Sequence, residues 1–294
     1  MNTYSLIPEV ILTVRARLGE RPCWDAQAQC LYWVDIYNHR VHQFDPKTGS
    51  DRFFDVGEVV TCFAPASDNR LIIALRHHLA FLDTQDGTVT RLVEIDKPSD
   101  IRFNDGKCDP LGRFWVGTLS ISGANASLYR YDPDGTLHEM ETGLNISNGL
   151  GWSLDHRTFY LTDSKLKLIY AYNFALDRGN IENRRVFIDL SEESFAPDGL
   201  TVDSEGCIWS AMWDGWCIIR FDPNGKEMLR VSLPVPRPSS CTFGGPDLTT
   251  LYITTASIGL DEADFQDSLF SGDLFAIKTP VKGTPTNYFG VDKG

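Results

Sequence analysis

A short apolar strand pattern recurs six times along this chain, and no other feature limits the fold as tightly. The copies are Leu31-Tyr-Trp-Val-Asp35, Leu71-Ile-Ile-Ala74, Arg113-Phe-Trp-Val-Gly117, Thr158-Phe-Tyr-Leu-Thr162, Cys207-Ile-Trp-Ser-Ala211 and Leu251-Tyr-Ile-Thr-Thr255. Their third residues, Trp33, Ile73, Trp115, Tyr160, Trp209 and Ile253, follow one another at steps of 40, 42, 45, 49 and 44 residues. A second strand with period-2 alternation follows each, as in Val41-His-Gln-Phe-Asp45 and Leu128-Tyr-Arg-Tyr-Asp132, the pattern of a half-buried strand. Asp-Pro turns such as Asp132-Pro133-Asp-Gly135 and Asp222-Pro223-Asn-Gly225 close several of these units. Two stacked sandwiches use as many strands but need no single period across the chain. The reading is an all-β, six-bladed β-propeller, with residues 1–294 as one domain. The strand Glu9–Val14 precedes the first repeat and is expected to become the outer strand of the last blade, closing the ring and covering its edge. Helix is expected to be nearly absent, with one short turn at Glu262–Ser268.

Composition narrows the partners. Forty acidic against 27 basic side chains give a net charge of −13, a surface that repels a nucleic-acid backbone. Hydrophobic content of 42% supports a packed core, and 17 Phe, 10 Tyr and 7 Trp favour β structure. The N-terminus has no basic n-region with an apolar h-region, and no apolar run reaches membrane-spanning length. The expectation is a cytoplasmic protein with no membrane partner, a monomer or weak oligomer. Seven cysteines (Cys23, Cys30, Cys62, Cys108, Cys207, Cys217 and Cys241) show no C-x-x-C spacing, so they read as buried thiols rather than a disulfide framework or thiolate zinc site. The sequons at Asn125 and Asn145 carry no weight in a chain read as unexported.

The repeat also sorts the polar residues. In a propeller the first strand of each blade lines the central channel, and its first residues sit at one mouth. Counting back about 11–13 residues from each anchor finds Glu20, Thr61, Asn104 with Asp105, Asn148, Asp198 and Ser240. Residues distant in the chain thus form one ring of carboxylates, amides and hydroxyls, without Lys or Arg. Asp105, Asn148 and Asp198 each precede glycine, which permits close approach. Converging carboxylates repel one another unless a cation or protons neutralise them. Their oxygens are hard donors suited to Ca²⁺, Mg²⁺ or Mn²⁺. A divalent metal at the channel mouth is the expectation; the competing view is that Asn and Asp before Gly only form turns.

At these residues the sequence resembles the gluconolactonase/regucalcin (senescence marker protein) family over nearly its whole length, most closely its bacterial sugar lactonases. The resemblance is carried by Gly19-Glu20-Arg-Pro22, Tyr32-Trp-Val-Asp35, Arg102-Phe-Asn-Asp-Gly-Lys107, Asp109-Pro-Leu-Gly112, Gly117-Thr118, Ile146-Ser-Asn-Gly149, Trp152-Ser-Leu-Asp155, Pro197-Asp-Gly199, Asp203-Ser-Glu-Gly206 and Cys241-Thr-Phe-Gly-Gly245. It implies one divalent ion held by Glu20, Asn148 and Asp198, with Ca²⁺, Mg²⁺, Mn²⁺, Zn²⁺ and Fe²⁺ all open. It implies substrate contacts from Arg102 and Asn104, and hydrolysis of aldonic-acid lactones. Members often carry an acidic or His-containing stretch after Gly-Thr-Met; here the run is Gly117-Thr-Leu-Ser-Ile-Ser-Gly123, which leaves the sugar open.

Opening a lactone needs an activated carbonyl, a nucleophilic water and stabilisation of an oxyanion. A divalent ion serves the first two, Asp198 is placed to act as general base as well as ligand, and Arg102 to hold ring oxygens or developing charge. The competing role for Arg102 is a salt bridge bracing the loop from Ser99 to Gly106. Rival chemistries lack their signatures. There is no Gly-x-Ser-x-Gly elbow, phosphate loop or dinucleotide fingerprint, and the histidines (His39, His42, His77, His78, His138, His156) lack H-x-x-x-H spacing. Trp213 and Trp216 lie beyond the repeat register and are candidates for the pocket. Two alternatives to a lactonase remain: a non-catalytic calcium-binding or regulatory propeller, and a related metal-dependent esterase or phosphoesterase.

Overall fold

The computed structural model of the chain describes residues 6–260 and 268–290. Six four-stranded antiparallel sheets make up the molecule, and each anchor strand found by periodicity is the second strand of one sheet. Blade one runs Gly19–Asp25, Cys30–Asp35, Arg40–Asp45 and Ser50–Asp55 from the axis outward. The inner strands of blades two to six are Val60–Pro65, Ile101–Cys108, Ser147–Trp152, Ala196–Val202 and Pro238–Gly244. Each inner strand packs against those of its two neighbours, closing the ring. The architecture is a six-bladed β-propeller, as the period predicts.

The first strand, Glu9–Leu12, pairs with Leu274–Lys278 as the outer strand of blade six. The ring is therefore closed by the N-terminal strand. Of the helical turn expected at Glu262–Ser268, residues 262–267 lie outside the described residues. Among the described residues the only helix is a single 3-10 turn, Ile36–Asn38, and none is long and apolar enough to cross a membrane.

The core is six wedges between neighbouring blades rather than one central mass. Trp115 of blade three packs with Trp152, Phe159 and Phe174 of blade four, and Trp209 of blade five meets Phe243 of blade six edge-on. At the seam between last and first blades, Trp24 stacks on Tyr252 with centroids 5.9 Å apart. The anchors at Trp33, Trp115 and Trp209 are nearly inaccessible, so the aromatic period belongs to these wedges. All seven cysteines are free and buried.

Buried aspartates fasten the segments entering the inner strands. Asp35 accepts the N–H groups of Arg17 and Leu18 at 3.1 and 3.2 Å. Asp163 accepts those of Asn145 and Ile146 at 3.0 and 3.3 Å, and Asp273 those of Val14 and Arg15 at 2.9 and 3.0 Å. Backbone donors that leave one sheet before joining the next are thereby satisfied.

Candidate functional site

Every inner strand breaks register at or beside its ring position. The shifts fall between Glu20 and Cys23, Val60 and Cys62, Phe103 and Gly106, Asn148 and Leu150, Pro197 and Leu200, and Pro238 and Ser240. A bulge leaves a residue outside the ladder and re-aims its side chain. Six bulges at one level release the ring residues from the alternation that would send them into a blade interface. Glu20, Thr61, Asn104, Asp105, Asn148, Asp198 and Ser240 are all buried. Glycine lets the strands meet here. A Cβ on Gly149, whose φ is +21°, would strike the Asp198 carbonyl oxygen, and one on Gly199 would strike the Ser240 hydroxyl.

A hydrogen-bonded chain runs through the amides. Arg102 Nη1 donates to Phe103 O at 2.8 Å and to Asn104 Oδ1 at 2.9 Å. Asn104 Nδ2 donates to Ser147 O at 3.0 Å and to Asn148 Oδ1 at 3.1 Å. Asn148 Nδ2 in turn donates to Ser164 Oγ at 3.0 Å. Arg102 sets the Asn104 amide, and Asn104 thus fixes which end of the Asn148 amide is oxygen.

The carboxylates are in conflict. Burial, and then the Asp105 charge, push the Glu20 carboxyl up to about 8, although the Arg21 N–H and the charges of Arg102 and Arg21 pull the other way. Asp198 is driven well above the ordinary range by burial, with Glu20 and Asp105 adding to it. Burial raises Asp105 too, against Arg21, Lys107 and the Gly106 N–H. Asp198 Oδ1 is buried without a hydrogen-bond partner, an arrangement that costs free energy unless something else meets that oxygen. Two hard carboxylates and an oriented amide oxygen suit a divalent cation, and its charge would relieve both the repulsion and the orphaned oxygen. Among the described residues no three His, Cys, Asp or Glu side chains form a metal cage by themselves; a third donor would have to be an amide oxygen such as that of Asn148.

A family model described as the SMP-30/gluconolactonase/LRE-like region matches residues 18–257. The chain belongs to this family. It is 37% identical to pentonolactonase XacC of Haloferax volcanii over 94% of this chain and 95% of that protein. It is also 37% identical to regucalcin of Gallus gallus, over 94% and 96% of the two chains. Among solved structures it is similar to a calcium-binding protein, regucalcin, from Agrobacterium tumefaciens, with a TM-score of 0.93, 26% identity, and coverage of 97% of this chain and 98% of that one.

Within this member of the SMP-30/gluconolactonase/LRE-like family, Glu20, Asn148 and Asp198 lie at one level of neighbouring or facing blades, and the Glu20 charge reaches Asp198. Arg102 is buried beside Asn104. Among the described residues it forms no ion pair with a carboxylate within 4 Å, so the bracing salt bridge is not what holds it. The guanidinium of Arg237 sits 5.1 Å from the Trp213 ring centroid and bonds Asp214 at 2.6 Å, while Trp216 is exposed. Three participants escaped the sequence reading. The Tyr37 ring centroid lies 6.0 Å from the Arg102 guanidinium carbon. Arg76 adds positive charge near Arg102, and Ser164 orients Asn148. Tyr37 falls in the 3-10 turn directly after an anchor strand, the one position from which the repeat could have pointed to it.

Proposed function

We propose that this chain is a divalent-metal-dependent hydrolase that opens sugar lactones to aldonic acids, acting as one domain on a small-molecule substrate. Relatives named pentonolactonase and sugar lactone lactonase support the reaction class. The observation that carries the site is Asp198 Oδ1, a buried carboxylate oxygen with no partner, beside the raised carboxyl of Glu20. Glu20, Asn148 and Asp198 would hold the ion. When bound, it would polarise the lactone carbonyl and lower the pKa of a coordinated water.

The chain's own residues supply the rest. Asp198 takes the proton that water loses as its oxygen joins the carbonyl carbon, and that proton reaches the ring oxygen as the acyl C–O bond breaks. Arg102 spends Nη1 on Phe103 and Asn104, which locks its planar fork so that other N–H groups meet substrate oxygens without reorganising. Asn104 keeps the Asn148 oxygen in place. Burial of the whole group strengthens each of these contacts.

The decisive experiment assays glucono-, galactono-, xylono- and arabinono-lactones after chelation and after return of Ca²⁺, Mg²⁺, Mn²⁺, Zn²⁺ or Fe²⁺ singly, with p-nitrophenyl esters and phosphates for the esterase alternative. Metal-restored turnover of a lactone is expected; metal-independent turnover, or none on any lactone, overturns the reading. Relatives named regucalcin favour a second reading, a non-catalytic calcium-binding propeller. Arg102→Ala separates the two. In an enzyme it lowers turnover more than metal affinity, whereas an ion-binding protein has no turnover to lose.

A further inference from the structure

The channel has a second end, and its chemistry is opposite to the first. The inner strand of blade three, Ile101–Cys108, passes from Arg102 and Asn104 to Lys107. At the far end is a cavity of about 260 Å³ whose lining includes Arg21, Lys107, Trp152, Thr242, Thr284 and Asn287, and no Asp or Glu. In a chain of net charge −13, a recess with two cations and no carboxylate is a local inversion.

Its cations keep donors in reserve. Lys107 Nζ crosses the lumen to donate to Leu200 O at 2.9 Å, which uses one of its three N–H groups. Arg21 donates through Nε to Gly106 O and through Nη1 to Pro22 O at 3.3 Å. The carboxylate nearest Arg21, Asp105, is 3.9 Å from Nε and belongs to the ring. Trp152 is 8% exposed, and its buried indole N–H has no acceptor. The recess is built rather than incidental, because residues 283–289 cross it as a strap. Thr284 Oγ1 donates to Val202 O at 3.2 Å, Thr286 Oγ1 to Trp24 O at 2.8 Å, and Asn287 Nδ2 to Cys108 O at 3.2 Å. The Phe289 N–H donates to Pro65 O at 2.7 Å. Four inner strands are thereby fixed around the cavity.

We propose that this cavity is a binding site for a small oxyanion, a carboxylate or a phosphate, held by Lys107 and Arg21. Such a ligand brings the negative charge that the lining lacks, and charge-assisted hydrogen bonds are the strong ones. Burial, and then Arg21, pull the Lys107 ammonium down to about 8 although Asp105 opposes them, so the charge is incompletely balanced there. A divalent ion at the opposite mouth would increase that imbalance.

The test is calorimetric titration of inorganic phosphate and of gluconate into the chelated full-length protein at constant ionic strength, so that no metal can hold the anion. Saturable binding of either is expected, weakened about tenfold or more by Lys107→Met and less by Thr284→Val. Which anion binds more tightly tells a free phosphate from a sugar-acid carboxylate. No saturable binding of either anion overturns the proposal, as does binding lost in Arg102→Ala but kept in Lys107→Met. Should Lys107→Met fail to fold, Lys107→Arg retaining affinity and Thr242→Val losing it support the site, and unchanged affinity in Thr242→Val overturns it.

Discussion

Asp198 Oδ1 concentrates the chemistry of the ring in one atom. Asp198→Asn keeps the shape and removes a charge that burial, Glu20 and Asp105 all oppose. The expected result is an unaltered β fold by circular dichroism, metal-free stability that does not fall, and lactone turnover reduced about 100-fold or more, the scale of losing a general base; unchanged turnover would remove Asp198 from the site. The carboxyls also set a pH dependence. An ordinary glutamate ionises near about 4.3, whereas Glu20 holds its proton to about 8. Between those values the folded, metal-free chain binds a proton that the unfolded chain has released. Its stability therefore falls as pH rises through that window, and the penalty is complete above about 8. A cation must expel the same protons. Adding Ca²⁺ or Mn²⁺ near pH 6.5 should release protons, read as a buffer-dependent heat in calorimetry, and a heat independent of the buffer's ionisation enthalpy would contradict it. Glu20, Asn148 and Asp198 were legible because the period places them in one register. The bulges that turn them to the axis, and the roles of Ser164 and Tyr37, were not, because neither follows from spacing along the chain.

Two of the sequence tags turn out to brace blades. In Asp109-Pro-Leu-Gly112-Arg113-Phe-Trp115, Asp109 Oδ2 accepts Arg113 Nε at 2.6 Å and Trp115 Nε1 at 2.9 Å, while Oδ1 takes the Leu111 and Arg113 N–H groups. Asp203-Ser-Glu-Gly206-Cys207-Ile-Trp209 repeats the device: Asp203 accepts Trp209 Nε1 at 2.9 Å, Arg220 Nε at 2.8 Å, and the N–H groups of Glu205 and Cys207. One carboxylate thus fixes the turn between the first two strands and anchors the indole that fills the neighbouring wedge. Asp203→Ala leaves the buried Trp209 indole N–H and the turn N–H groups without their acceptor, while Arg220 keeps Glu205, so it should cost about 3 kcal/mol in urea unfolding. Glu227→Ala, which breaks the exposed pair with Arg230, should cost about 1 kcal/mol or less. Equal costs would refute the bracing role. Family resemblance singles out both kinds of residue alike; only burial and partners separate the Asp that braces a tryptophan from the Asp left unpaired at the axis.

At the scale of the whole molecule the N-terminal strand completes the last blade. Five blades are contiguous in sequence, whereas blade six takes its outer strand from Glu9–Leu12. That strand does more than occupy an edge. Val10 packs against the wedge between blades five and six, while Ile11 and Leu12 pack against the wedge between six and one. The Val14 and Arg15 N–H groups that follow are held by Asp273. Without residues 1–12 the strand Leu274–Lys278 keeps its apolar face but becomes an open edge, a template for pairing with another chain. Three half-buried aliphatic side chains contribute about 3 kcal/mol by area, as an upper estimate. The truncated chain is therefore expected to lose up to about that much stability and to self-associate in sedimentation as concentration rises. Asp198 lies on blade five, away from the lost strand, so metal-dependent turnover per folded molecule should survive. A truncated protein with unchanged stability and unchanged sedimentation would mean that the ring is held by its inner strands and the strap at 283–289, with the N-terminal strand only covering an edge.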